Sequence, residues 1–188
     1  MCNNWTKKSG NAMKKERLVL GGGCFWCVEA VFSDTKGVLS AVSGYTGGLR
    51  PNPTYQNVCT GATGHAEIVD ISYDSDVITL AELLEIFFVI HDPTTLNAQG
   101  ADKGTQYRSV IYYANEAEKE QILESIQHAQ KNFSQKIVTE VSELGDVFAA
   151  EDYHQNYYKN NTSQGYCQVV ITPKVQKFMI QFPHMLSQ

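Results

Sequence analysis

The run Gly21-Gly22-Gly23-Cys24-Phe25-Trp26-Cys27 constrains this chain more than any other feature. In front of it, Arg17 to Leu20 is a short apolar run that reads as a strand closed by a glycine turn. Behind it, Val28, Val31 and Phe32 recur at helical spacing over Phe25 to Phe32. A strand that stops at three glycines and restarts as a helix sets Cys24 at or just before a helix N-terminus.

The alternation continues down the chain. Val38 to Tyr45 reads as a strand after the Lys36-Gly37 turn, and Ala66 to Tyr73 as another. Thr79 to Ile90 predicts a helix, with Thr79 and Glu82 as a capping box and Leu80, Leu83, Leu84 and Phe87 as its apolar stripe. Tyr107 to Tyr113 is a strand. Asn115 caps a further helix carrying Ile122, Ile126, Ala129 and Phe133 on one face, and Val138 to Leu144 predicts a last strand. From Arg17 to Tyr113 the order is β-α-β-β-α-β, the pattern of an α+β, ferredoxin-like two-layer core with helices on one face of the sheet. Long loops interrupt it at Thr46 to Gly64 and at His91 to Gln106. Loops of such length in a compact domain are functional or disordered, and this order draws both toward the first strand-to-helix turn. Residues 1–16 are expected to be a flexible tail. Residues 17–188 form a single domain, with an irregular, aromatic and polar C-terminal tail from about Asp152.

A chain of 188 residues, 43% hydrophobic and 19% charged, fits one globular domain. Its net charge of -5 provides no basic face for nucleic acid. The positive residues near the start have no apolar run behind them, so they do not read as a secretory signal. No uninterrupted apolar stretch reaches the roughly 18 residues of a membrane span. The expectation is a cytoplasmic protein without membrane or nucleic-acid partners. Its five cysteines, Cys2, Cys24, Cys27, Cys59 and Cys167, are odd in number and widely spaced, a poor disulfide framework.

Cys24 carries the chemistry. Unpaired N–H groups and the positive end of the helix dipole favour thiolate over thiol, and thiolate is the nucleophile. The competing reading is a buried filler cysteine. Cys27 completes a C-x-x-C, which suits a dithiol couple or half of a metal site. Phe25 and Trp26 offer an apolar pocket for a small nonpolar group, or are simply core. Glu67 shares a strand face with Val69, Ile71 and Tyr73. A carboxyl on that apolar face loses solvation, stays protonated at neutral pH and can serve as a general acid. The alternative is a strand-end glutamate facing water. Tyr55 and Tyr107 border the two loops, and their phenols can donate to an oxygen. His65, His91 and His154 lack zinc-finger or zincin spacing, so no metal ligand is assigned. A metallochaperone and a general C-x-x-C thiol-disulfide oxidoreductase are the rival classes. The aromatic pair between the thiols speaks against the first, and Glu67 with two tyrosines against the second.

Taken together, the chain resembles the type A peptide-methionine sulfoxide reductases, which act on the S epimer of the sulfoxide. The resemblance is carried by Gly21 to Ala30, Ser43 to Gly48, Asn52 to Gly61, Gly64 to Glu67, His91 to Pro93, Gly104 to Ser109 and Glu151 to Tyr157, and runs in order from about Leu18 to Cys167. It implies that Cys24 attacks the sulfoxide sulfur while Glu67 protonates the departing oxygen. It further implies that Tyr55 and Tyr107 hydrogen-bond that oxygen, that Asp102 positions polar groups, and that Phe25 and Trp26 hold the methyl group. Cys24 is left as a sulfenic acid. A second thiol then forms an intramolecular disulfide, which an external dithiol, thioredoxin, reduces. No bound cofactor and no metal is implied. Many relatives carry glycine where this chain has Cys27, and resolve with a cysteine matching Cys167. The resemblance therefore favours Cys167, on a mobile tail, as resolver and Cys27 as a relay. Cys59 reads as structural and Cys2 as incidental.

Overall fold

A computed structural model describes residues 12–187 of the chain. Cys2 and most of the predicted 1–16 tail lie outside these residues. The strand β1 spans Lys15–Gly21, so Lys15 and Glu16, expected in that tail, are paired with Asp74 and Tyr73. Helix α1 (Phe25–Ser33), strand β2 (Val38–Thr46), the short helix α2 (Tyr55–Cys59) and strand β3 (Ala66–Asp74) follow. Then come α3 (Leu80–Ile90), a small hairpin of β4 (Ala98–Gln99) and β5 (Asp102–Lys103), β6 (Val110–Tyr113), α4 (Glu116–Gln130), β7 (Glu140–Glu143) and β8 (Phe148–Ala149). Helices α5 (Tyr157–Asn160) and α6 (Thr172–Gln181) close the chain.

Six strands form one mixed sheet in the order β7-β6-β1-β3-β2-β8. All its pairings are antiparallel except β6 with β7, which run parallel from Val110↔Glu140 to Tyr113↔Glu143. The period of two divides the side chains between faces. Leu18, Leu20, Val69, Ile71 and Tyr73 join the main core with α1 and α3, whereas Val19, Ala66, Ile68, Val110 and Tyr112 form a smaller cluster on the other face, packed by Leu144 and Val147. Helix α3 starts as predicted: Thr79 and Glu82 make both bonds of the capping box.

The two predicted long loops carry local structure. Helix α2 lies in the first, capped by Thr54, and the β4-β5 hairpin and a 3-10 turn at Thr105–Tyr107 lie in the second. They are tied together by the Gln106 Nε2–H, which donates to Cys59 O at 3.2 Å. Glycine is demanded where β1 meets α1. Gly23 has φ +90°, and a Cβ on Gly22 would stand 2.8 Å from the Phe87 ring.

The expected irregular C-terminal tail is corrected by the structure. It is mostly helical and packed: Ile171, Val175, Phe178 and Phe182 are all buried in the main core. Their 4-3-4 spacing places them on one helix face, and that stripe outweighs the polar residues between them. Cys167 is fully buried at the head of a π-helical turn, Cys167–Ile171, so it sits on a fixed element and not on a mobile tail.

Phe178 is the sharpest test of that packing. Phe178→Ala should lower the unfolding free energy by about 3 to 5 kcal/mol in urea denaturation. A loss below about 1 kcal/mol would mean that α6 does not belong to the core.

Candidate active site

The register of the sheet builds the site. Leu20 pairs with Val69, so two residues further along the antiparallel ladder Glu67 comes level with Gly22. Glu67 thus stands beneath the glycine turn, at the N-terminus of α1. Its side chain lies on the main-core face, 1% exposed, and its Oε2 accepts the Phe25 N–H at 3.0 Å. Burial raises its pKa to about 8; the Phe25 N–H opposes that, while the charges of Asp102 and Cys27 add to it. At neutral pH the carboxyl therefore carries a proton, as its place on an apolar strand face predicts.

Cys24 is the N-cap residue of α1 and is 8% exposed. Its thiol behaves otherwise than the helix N-terminus suggests. Burial pushes its pKa well up, and the neighbouring Cys27 and Glu67 push the same way, against a single lowering bond from the Trp26 N–H. The neighbouring Phe25 N–H at this helix start is given to Glu67. The resting thiol is neutral. Cys27 is also buried, and the neighbouring Cys24 thiol, above all, draws its pKa down. Cys24 itself lies outside the first helical turn, with φ -59° and ψ 126°.

The remaining predicted residues converge on this centre. Phe25 is core and Trp26 is half-buried, so the aromatic pair divides between the two readings. Tyr55 and Tyr107 are half-buried, and burial raises both phenols, with the Glu67 charge contributing. Each thus keeps its O–H to donate. Asp102 accepts the Tyr166 O–H at 2.8 Å. Cys167 lies near enough to Cys27 that the latter's charge, after burial, raises its thiol. Cys59, expected to be structural, is exposed, beside the Tyr55 hydroxyl.

Three residues of the site had no assigned role in the sequence. Tyr166, next to Cys167, packs edge-on against Trp26 and has its hydroxyl by Cys24 and Cys27. Glu151 accepts the Tyr45 O–H at 2.9 Å and the Tyr55 N–H at 2.8 Å. His154 accepts the Trp26 indole N–H at 3.1 Å through Nδ1. Both lie in the segment Glu151 to Tyr157, which the resemblance marks; the spacing Glu151-x-x-His154 was the available signal. His65 and His91 serve elsewhere, with ring nitrogens engaged to Gly48 and Arg50 and to Phe87 and Ser109. Among the described residues, no three His, Cys, Asp or Glu side chains gather as a metal site.

A buried dithiol beside a protonated carboxyl and two phenols defines a thiol-based reductase site for a polarised oxygen. The comparisons narrow this. The model of the family Peptide methionine sulfoxide reductase matches residues 16–185. The peptide methionine sulfoxide reductase MsrA of Polynucleobacter asymbioticus is 53% identical over 174 residues, 92% of this chain and 92% of that relative. The one from Saccharolobus solfataricus is 54% identical over 168 residues, 89% of this chain and 95% of the relative. The crystal structure of Mxr1 from Saccharomyces cerevisiae in reduced form is similar with a TM-score of 0.76 at 35% identity, covering 82% of this chain and 90% of that one. This chain belongs to the peptide methionine sulfoxide reductase family.

The protonated Glu67 has a consequence for stability. Unfolded, it titrates near its ordinary 4.5; folded, near about 8. Between these values the unfolded chain has lost the proton that the native chain keeps, so stability falls as pH rises, by about 1.4 kcal/mol per pH unit. Glu67→Gln has no such proton. Its unfolding free energy, relative to the parent, should therefore increase by a few kcal/mol between pH 5 and pH 8. A difference independent of pH would show an ionised Glu67.

Proposed function

We propose that this chain reduces the S epimer of methionine sulfoxide, free or in proteins, to methionine, with Cys24 as nucleophile and Glu67 as acid. The observation that carries this reading is the buried, protonated Glu67 carboxyl anchored on the Phe25 N–H beside the Cys24 thiol.

The substrate's methyl group rests against Trp26, with the core residue Phe25 beside it, and its oxygen takes hydrogen bonds from Tyr55 and Tyr107. Because Glu67 Oε2 accepts the Phe25 N–H, Oε1 is the oxygen left to carry the proton. Cys24 sulfur attacks the sulfoxide sulfur as Glu67 gives its proton to the oxygen and recovers the one Cys24 sheds. The protonated oxygen passes to the Cys24 sulfur as the substrate S–O bond and the newly formed S–S bond break, so the sulfide departs and Cys24 holds the hydroxyl as a sulfenic acid. Asp102, bonded to the Tyr166 hydroxyl, orients that phenol toward the two thiols.

A second thiol then attacks the sulfenic sulfur, water leaves, and a disulfide forms. The influence of the Cys24 and Cys27 thiols on each other favours Cys27 as first partner, with the buried Cys167, on which Cys27 acts, next in line. That order reverses the one the resemblance favours. An external dithiol, with thioredoxin as the proposed partner, returns the protein to its thiol form. The thiols supply both electrons, so the reaction requires no bound flavin, nicotinamide or metal. A cytoplasmic, reducing setting and a role in repair of oxidised proteins fit this chemistry. The antiparallel order β6-β1-β3-β2 favours a ferredoxin-like reading of the α+β core, and residues 17–188 are taken as the single catalytic domain.

The reading is tested by giving each epimer of a blocked methionine sulfoxide to the protein with dithiothreitol and quantifying the sulfide. Only the S epimer should turn over, and Cys24→Ser should abolish it. Glu67→Gln, which keeps a donor, should retain part of the rate, while Glu67→Ala loses about a hundredfold or more. No turnover of either epimer by folded protein would sink the proposal, and parent-like rates for Glu67→Ala would remove Glu67 from it.

A further inference from the structure

His154 packs among the aromatic side chains Phe25, Trp26, Tyr55 and Tyr153. It is 1% exposed, and its ring centroid lies 5.1 Å from that of Phe25, 4.4 Å from that of Tyr55 and 4.1 Å from that of Tyr153. It also accepts the indole N–H of Trp26 at 3.1 Å. An indole nitrogen only donates, so Nδ1 must be the bare nitrogen of a neutral ring, with the proton on Nε2. Nε2 has no hydrogen-bond partner among the described residues. It faces Glu151 Oε2 at 3.6 Å, beyond hydrogen-bond length but near enough for the carboxylate to hold that tautomer.

The backbone beneath His154 is clamped. The Gln155 side chain bonds both the N–H and the C=O of Ser43 in β2, each at 2.9 Å. The Asn156 N–H donates to Glu29 Oε1 at 2.9 Å, which ties the segment to α1. Glu151 holds the Tyr55 N–H with one oxygen and the Tyr45 hydroxyl with the other. On the far side of the indole, Tyr157 stacks at 3.7 Å and 7°. Stacking alone lets the indole slide across the Tyr157 ring as χ1 and χ2 shift, whereas a bond to its edge fixes its position.

We infer that His154 is a positioning residue for sulfoxide binding: through its Nδ1 it locks the Trp26 indole as a wall of the methyl pocket, and Glu151 fixes the imidazole tautomer that makes this bond possible. The inference rests on the proposed reading of Trp26 as pocket wall. It assigns no proton transfer to His154, which does not touch the reacting atoms.

Two replacements separate the bond from mere packing. His154→Phe keeps a flat ring and removes the acceptor; His154→Asn keeps an oxygen near the place of Nδ1. Single-turnover reduction of a blocked S-sulfoxide by the prereduced protein yields the substrate dissociation constant and the limiting rate separately. His154→Phe should raise the dissociation constant about tenfold, as expected for one lost buried hydrogen bond, with the limiting rate within about threefold of the parent. His154→Asn should restore most of the affinity. The Trp26 indole N–H resonance, assigned by its absence in Trp26→Phe, should move in His154→Phe and return toward the parent position in His154→Asn. Parent-like affinity and an unmoved resonance in His154→Phe would overturn the inference, as would equal losses in both variants. Trp26→Ala distinguishes the two levels. If it leaves affinity unchanged, the pocket reading fails; if it weakens affinity while His154→Phe does not, only the positioning role fails.

Discussion

The hydrogen bond from the Phe25 N–H to Glu67 joins the central strand β3 to the start of α1, and the rest of the site is arranged around it. A carboxyl on the core face of a sheet is tolerable only if it is neutral or paired. Here the neighbouring charges that act on it are acidic, and no base stands among them. Neutrality is the remaining solution, and it stores a proton within reach of Cys24. The glycine turn is the steric condition for this closeness, since a side chain on Gly22 would collide with Phe87. Fold and chemistry thus depend on the same few ångströms.

Burial decides the resting state of the nucleophile. A helix N-terminus with all its donors free would favour a thiolate. With the Phe25 N–H committed to Glu67, burial prevails and Cys24 rests as a thiol. Thiol and carboxyl are then both protonated before substrate arrives. Net transfer of oxygen to sulfur requires one proton to reach that oxygen and one to leave the thiol, so a neutral pair can complete the exchange between its own members. Two raised phenols, Tyr55 and Tyr107, remain donors throughout.

Much of this was legible in the sequence where a local rule was decisive. The period of two placed Glu67 with Val69, Ile71 and Tyr73, and those residues do share the buried face. The Thr79 capping box and the Asn115 cap began their helices as their side chains dictate. What stayed hidden depends on contacts distant in the chain. The rise of the Cys24 thiol comes first from its burial, with Cys27 and Glu67, 43 residues on, adding to it. Glu151 and His154 meet Tyr55 and Trp26 in a segment that Gln155 docks on β2 and Asn156 ties to α1. The packed helix α6 was readable in principle from the spacing of Ile171, Val175, Phe178 and Phe182, but the polar stretch ahead of it masked that stripe. Tyr166 carried no signal beyond its place beside Cys167.

The central claim is that Glu67 holds a proton at neutral pH beside a neutral Cys24. Infrared difference spectroscopy of the reduced protein, parent against Glu67→Gln, observes that proton through the carbonyl stretch of an un-ionised carboxyl. The account predicts a band at pH 7, absent in Glu67→Gln, that fades in the parent with a midpoint at about 8. A parent spectrum at pH 7 with carboxylate signal alone at this position would contradict it, and the acid in the reaction would have to be sought elsewhere.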